Sequence, residues 1–304
     1  MRLIRFTVAT AAVPLLALGL TACSSSNPSG ASSSASPAGS TTPTGAVPKR
    51  IVSLSPTATE DLYAVGAGSQ VVAVDQYSDY PANAPKTSLS GLTPNVEAIL
   101  KYSPDLVVAS EDANGMVAAL KKVGVPVLIE PAASTLNDAY TQIDQLGRAT
   151  GHLGAAESTV AKMKTEIAAA VKQAGSDHSD LSYYWELDPT YYSATSSTFI
   201  GQLAGLFGLK NIADKVDKAA DGGYPQLSSE YIVQSSPSIV FLADTVCCGA
   251  NATSVAARPG WSGVEAVKVD DVVGLNDDIA SRWGPRLPQL VDEIAAAVEK
   301  APAK

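Results

Sequence analysis

From Arg50 onward, apolar residues fall into short blocks of two kinds. Ile51-Val52-Ser53-Leu54 is a nearly continuous apolar run of strand length, and Thr57 to Val65 repeats apolar residues at helical spacing before Gly66. The alternation continues with strands predicted at Val71–Val74, Asp105–Ala109 and Val125–Ile129. Helices are predicted from Thr93-Pro94 to Lys101 and from Met116 to Val123. A second series has strands at Ser182–Leu187, Ser238–Ala243 and Val272–Leu275. Its helices lie at Thr198–Phe207 and Ser228–Gln234, with a last helix opened by Pro285 that carries Leu287, Leu290, Ile294 and Val298 on one face. Strands alternating with helices predict parallel sheets covered on both faces.

Between the two series the period changes. Thr135 and Asp138 have the spacing of a capping box, Leu136, Tyr140, Ile143 and Leu146 recur at helical spacing, and Gly151 suits a helix end. A second helix from about Ala155 carries Val160, Met163, Ile167, Val171 and Ala174 as an apolar stripe. A helix of about 20 residues spans roughly 30 Å, the width of a small domain. The expected fold is therefore α/β, two lobes with mostly parallel sheets joined by a long helical linker. The expected boundaries are 48–131 for the first lobe, 132–176 for the linker and 177–304 for the second lobe.

The N-terminus is expected to lie outside this fold. Arg2 and Arg5 precede an apolar stretch from Val8 to Leu20 that is too short to span a bilayer as a helix. Leu20-Thr21-Ala22-Cys23 resembles a bacterial lipobox. That resemblance implies a signal peptide over residues 1–22, cleavage before Cys23 and acylation of its thiol; the alternative is a plain secretory signal with an incidental cysteine. Ser24 to Val47 is mostly Ser, Ala, Thr, Pro and Gly without charge, the composition of a flexible tether. The folded part is expected outside the cytoplasm, beside the membrane. A formal net charge of -9 argues against a nucleic-acid partner.

Glu97-Ala-Ile-Leu-Lys-Tyr-Ser-Pro-Asp-Leu-Val107 and Glu230-Tyr-Ile-Val-Gln-Ser-Ser-Pro-Ser-Ile-Val240 share Glu, Ile, Ser, Pro and Val at matching places. Each reads as helix, proline stop, strand. A common helix-to-strand corner accounts for the proline. One carboxylate per lobe at the same place also suits docking to a two-fold symmetric partner.

Five segments carry a family resemblance: Arg50-Ile-Val-Ser-Leu-Ser-Pro56, Gln76-Tyr-Ser-Asp-Tyr-Pro81, Ser103-Pro-Asp-Leu-Val107, Tyr224-Pro-Gln-Leu-Ser228 and Trp283-Gly-Pro-Arg286. In this order they resemble the substrate-binding proteins of ABC importers for vitamin B12, ferric siderophores and haem, above all the B12-binding members. The likeness runs from residue 48 to 300. It implies a class III binding protein with a helical backbone, no catalysis, no resident cofactor, and a monomer that presents its ligand to membrane subunits. It also implies that Glu97 and Glu230 dock to arginines of those subunits.

Small-molecule sites favour lobe interfaces with aromatic walls and a few polar groups. The expected ligand contacts are Tyr77, Asp79 and Tyr80 from the first lobe, and Trp185, Tyr224, Arg282, Trp283 and Arg286 from the second. Tyr77 and Tyr80 also read as turn residues, and Trp185 as a core residue. Gly91-Leu92 and Ser110-Glu111 stand where the B12 binders have tryptophans, so the ligand stays open among a corrinoid, haem and a ferric siderophore. Cys247 and Cys248 are adjacent; in an oxidising compartment they form either a vicinal disulfide in a tight turn or two free thiols. His152 and His178 read as solvated, with no partner at metal-ligand spacing. A surface hydrolase, which would have to recruit one of these histidines, is the rival from another class. Because a long helix resists bending, closure on ligand binding is expected to be small.

Overall fold

The computed structural model describes residues 46–301. The expected signal peptide, Cys23 and the expected tether up to residue 45 lie outside the described residues. In the first lobe the order is β1 (Ile51–Leu54), α1 (Pro56–Ala64), β2 (Val71–Val74), α2 (Val96–Leu100), β3 (Leu106–Ala109), α3 (Met116–Lys122) and β4 (Val127–Ile129). All pairings are parallel, in the order β2-β1-β3-β4. Two helices follow, α4 (Leu136–Thr150) and α5 (Leu153–Ala174). The second lobe opens with β5 (Ser182–Glu186), α6 (Phe199–Gly205), β6 (Lys210–Asn211), α7 (Ser229–Ser235) and β7 (Ile239–Leu242). Short helices α8 (Thr245–Cys248), α9 (Ala252–Ala256) and α10 (Glu265–Lys268) lead to β8 (Val272–Gly274), then α11 (Asp277–Ala280) and α12 (Leu287–Lys300). Its parallel order, β6-β5-β7-β8, repeats that of the first sheet.

The central strands β1, β3 and β7 are buried at every position, which is why they read as unbroken apolar runs. β5 is buried except at its first residue, and its side chains alternate between two layers. Tyr183 and Trp185 enter the core shared with the helical linker, whereas Tyr184 packs with Trp261 on the opposite face.

The linker differs from a lone strut. Its capping box forms, with the Asp138 N–H donating to Thr135 Oγ1 and the Thr135 N–H to Asp138 Oδ2. Gly151 closes α4 at φ 80°. But α4 and α5 fold against each other, α4 also packing on α1 and α5 on α12. Gly147 permits the crossing: a Cβ there would stand 2.3 Å from the Ala156 Cβ. A single apolar core runs from Ile51 and Leu62 through Ile143, Val160 and Met163 to Trp185, Phe241 and Leu290, and so joins both sheets.

Several boundaries move for local reasons. α2 starts at Val96, two residues beyond Pro94, because Asn95 caps it by accepting from the Ala98 N–H at 2.9 Å. α12 starts at Leu287, with Pro288 in its first turn. Neither histidine is freely solvated. Both are half-buried and donate a ring N–H to a backbone carbonyl, His152 Nδ1 to Thr150 at 2.9 Å and His178 Nε2 to Ala174 at 2.8 Å.

Candidate functional site

The C-terminal ends of β1, β2 and β3 form one wall of a cleft. Ser55 caps α1 by accepting from the Ala58 N–H, and Pro56 sits in the first turn. Thr59 Oγ1 hydrogen-bonds Ser53 Oγ at 2.8 Å and Ser78 Oγ at 2.9 Å, and Ser78 in turn donates to Asp75. These buried hydroxyls fasten the loop after β2 to β1 and α1, and leave Tyr77 55% and Tyr80 44% exposed. Only glycine fits at position 91, where a Cβ would come within 2.2 Å of the Leu54 carbonyl oxygen.

The opposite wall is the segment from α11 to the start of α12. A cavity of about 330 Å³ lies between the walls. It is lined by Leu54, Ser55, Pro56, Thr57, Asp75, Tyr77, Gly91, Leu92 and Ser110 on one side and by Asp278, Ser281, Arg282 and Trp283 on the other. Trp283 is half-buried and its Nε1–H donates to Gln142 Oε1 of α4 at 2.8 Å.

An ion-pair network crosses the cleft. Glu60 on α1, 2% exposed, accepts from Arg282 Nη1 at 2.9 Å, from Arg286 Nε at 2.7 Å and from Arg286 Nη2 at 2.5 Å. Arg282 also donates to Asp79 at 3.0 Å, to the Tyr77 carbonyl at 3.0 Å and to Asp278 at 2.5 Å. The Arg286 guanidinium lies 4.2 Å from the centre of the Tyr80 ring. Burial works to raise the Asp79 carboxyl, but its bond to Arg282 and that positive charge outweigh it and hold it below the usual carboxylate range. At Asp278 and Asp75 burial wins, and both carboxyls are raised.

The second sheet ends in another buried pair. Arg258 clasps Glu186, at the end of β5, through two bonds of 2.6 Å. Its guanidinium stacks over Trp261 at 4.7 Å and Tyr191 at 5.4 Å. Asp244 stands nearby, wholly buried; burial and then the Glu186 charge push its carboxyl up to about 6.

The residues singled out in the sequence separate accordingly. Tyr77, Arg282 and Trp283 line the cavity, Asp79, Tyr80 and Arg286 belong to the ion-pair network beside it, and Tyr224 is 44% exposed away from it. Trp185 does not face the cleft. It is fully buried, with Phe241 at 5.2 Å, because both faces of β5 are covered. Glu60, Asp278, Glu186 and Arg258 are additions. The one signal for Glu60 was its position in Thr-Ala-Thr-Glu-Asp-Leu, a helix buried at each of residues 57–62.

Glu97 and Glu230 are exposed in the first turns of α2 and α7, capped by Asn95 and Ser228. Ser103 and Ser236 both adopt left-handed φ, 47° and 43°, and Pro104 and Pro237 then lead into β3 and β7. These strands hold the same place in their sheets, so the two carboxylates are topologically equivalent. Cys247 and Cys248 are exposed, with their sulfurs at bonding distance. They sit on the single helical turn of α8 instead of the tight turn expected, because Asp277 accepts from the Val246 and Cys247 N–H groups at 3.0 and 2.7 Å.

The family model for periplasmic binding proteins matches residues 51–279. An uncharacterized ABC transporter substrate-binding lipoprotein of Bacillus subtilis, YvrC, is 33% identical over 83% of this chain and 80% of its own length. A cobalamin-binding protein of Halobacterium salinarum is 32% identical over 82% of this chain and 69% of its own. The crystal structure of the periplasmic vitamin B12 binding protein of Vibrio cholerae superposes with a TM-score of 0.68 at 25% identity, covering 83% of this chain and 97% of that one. With its two parallel-sheet lobes and helical linker, the chain belongs to the periplasmic binding protein family.

Proposed function

We propose that the protein is a membrane-anchored, extracytoplasmic receptor that carries a corrinoid to the permease of an ABC importer and catalyses nothing. Residues 48–131 and 177–304 act as its lobes, residues 132–176 as the linker, and acylated Cys23 as the anchor. Glu97 and Glu230 dock to arginines of the two membrane subunits. The protein works as a monomer, and the network on Glu60 keeps lobe closure small.

The observation that carries the choice of ligand is the charge state of the cleft. Arg282, the one cationic residue among those described as lining the cavity, is shared among Glu60, Asp79 and Asp278. Arg286 and Arg258 are bound to Glu60 and Glu186. Asp75 adds a further carboxyl to the lining. Haem carries propionates and many ferric siderophores are anionic, so both ask for free cations. The amide-rich rim of a corrin asks for hydrogen-bonding groups and flat aromatic contact, which Ser55, Thr57, Tyr77 and Trp283 offer. A cavity of about 330 Å³ admits one edge of such a ring and leaves the rest against Tyr77, Tyr80 and Leu92.

Tryptophan fluorescence tests this reading, because Trp185 and Trp261 are fully buried and Trp283 lines the cavity. Cyanocobalamin is expected to quench saturably, and Trp283→Phe to lose most of that quench while equilibrium dialysis still shows binding. Saturation by haemin or a ferric siderophore, with none by cyanocobalamin, would move the assignment to those ligands. Reversing Glu97 and Glu230 to Lys is expected to stop uptake by whole cells without changing the affinity for ligand; unimpaired uptake removes the docking role. Cys23→Ser is expected to release the protein from membranes.

A further inference from the structure

The strands of the first sheet all run towards the cleft, so their N-terminal ends lie together on the opposite edge. The segments that lead into them, residues 47–50, 65–70, 101–105 and 121–126, make up that edge. They carry Lys49, Arg50, Lys101, Lys121 and Lys122, all exposed, against one carboxylate, Asp105. Asp105 accepts from the Lys49 and Arg50 backbone N–H groups at 2.8 Å, and the Arg50 guanidinium donates to the Tyr102 and Ser103 carbonyls. The four lysine side chains have no ion-pair or hydrogen-bond partner among the described residues. Val47 and Val123 add apolar surface, 52% and 57% exposed.

The second lobe supplies a comparison, since its sheet has the same strand order. The matching segments, 175–181, 206–210, 234–238 and 267–271, hold Lys210 and Lys268 against Asp177, Asp180, Asp270 and Asp271. A lysine at the end of a helix offsets the helix dipole. But the place of Lys101 after α2 is taken by Gln234 in α7, so the fold does not demand that charge. In a chain of net charge -9, the basic edge is a local feature of one lobe. It is also where the chain enters the fold. The Pro48 carbonyl accepts from Gln70 Nε2 at 2.7 Å, and Val47 lies against Gly151, where a Cβ would stand 3.0 Å from its Cγ2. Only residues 24–46 separate Cys23 from this point, at most ~80 Å of fully extended chain.

We propose that this edge rests on the anionic headgroups of the membrane that carries the anchor. The inference builds on the proposed acylation of Cys23, which holds the edge within reach of lipid. The four unpartnered lysines then meet lipid phosphates, and Val47 and Val123 meet the headgroup boundary. Such attraction acts only within about a Debye length, ~8 Å at physiological salt, so it selects the face that lies against the surface. The excess of acid elsewhere on the molecule repels the same lipid and reinforces that choice. Because the strands point from this edge to the cleft, a receptor in this pose holds its cleft away from the lipid and open to solute.

The chain from residue 24 onward keeps every described residue and can be held by an N-terminal hexahistidine tag to vesicles of phosphatidylcholine and nickel-chelating lipid. This needs no acyl group, so its outcome is separate from that of Cys23→Ser, which judges the anchor. Hydrogen exchange, read by mass spectrometry, is compared with and without phosphatidylglycerol in the vesicles. Amides of residues 101–105 and 121–126 are expected to exchange more slowly on the anionic vesicles, those of residues 267–271 to be unchanged, and the difference to vanish at high salt. Lys121→Gln is expected to weaken the contact about fivefold, the usual worth of one cation near an anionic surface. Lys268→Gln is expected to leave it as it was. Both lysines are exposed, so neither change threatens the fold. Equal exchange on the two kinds of vesicle, or Lys121→Gln without effect, overturns the proposal. So does slowing on phosphatidylcholine alone that grows with protein density, the mark of contact between copies of the chain.

Discussion

The carboxylate of Glu60 is the most exacting point in the cleft, and its replacement by glutamine has a calculable cost. Glu60→Gln keeps the shape but removes the charge that three guanidinium N–H groups share at 2.9, 2.7 and 2.5 Å. Removing one member of a buried ion pair costs about 3–5 kcal/mol, because the remaining charge stays desolvated. The Arg282 and Arg286 side chains are only 8% and 13% exposed. Arg282 retains Asp79, Asp278 and the Tyr77 carbonyl, whereas Arg286 keeps no hydrogen-bonded carboxylate, only the ring of Tyr80 and the more distant charge of Asp278. The lower part of that range applies, about 3 kcal/mol. At about 2–4 °C per kcal/mol for a chain of this order, the melting temperature falls by roughly 6–12 °C. Urea denaturation followed by circular dichroism gives the free energy directly, and Glu60→Gln combined with Arg286→Met measures the coupling. A loss under about 1 kcal/mol, or strict additivity in the double variant, would refute the view that this network joins the lobes.

The Asp244 carboxyl, raised to about 6 by burial and by Glu186, favours its protonated form in the native state. Its contribution is present below the ordinary carboxylate range near 4 and is lost as pH rises through about 6. Asp244→Asn is therefore expected to gain stability over wild type progressively across that interval, read as urea midpoints against pH. Gly91→Ala drives a methyl into the Leu54 carbonyl at 2.2 Å, so a loss of about 1–3 kcal/mol and weaker ligand binding are expected. A stability within error of wild type would mean that the cavity floor gives way easily. Cys247 and Cys248 are exposed, so iodoacetamide is expected to label neither in the native oxidised protein and both after reduction, as intact mass shows. Labelling without reduction would establish free thiols.

The strands with unbroken apolar runs were legible because parallel sheets covered on both faces leave few polar positions in them. β6 was not: it comprises Lys210 and Asn211, one of them exposed, and owes its place to pairing with β5. The short helices α8 to α11 also escaped notice. With four or five residues each they have no period to read, and α9 and α11 start where Asn251 and Asn276 cap them. Tyr77, Arg282 and Trp283 were found from motif order, yet what Arg282 does there could not be. Its partner Glu60 lies 222 positions away, and nothing local distinguishes a guanidinium free for ligand from one already spent on a carboxylate. Trp185 misled because an aromatic near the end of a cleft-side strand has two faces to choose between. The alternation of Tyr183, Tyr184 and Trp185 was visible, but the helices covering both faces were not.

The apolar core that passes from Ile51 through Met163 to Leu290 bears on how the molecule can be divided. Cutting the chain at Gly151 would not release two self-sufficient halves. Each would carry a wide greasy face, with α1 and α4 on one fragment and α5 and α12 on the other, left by the contact that Gly147 and Ala156 make in the intact chain. Made separately, such fragments are expected to aggregate. Made together, they have a ready-made seam along which to reassemble, which makes the Gly151 turn a natural place to split this receptor into a two-piece reporter for its ligand.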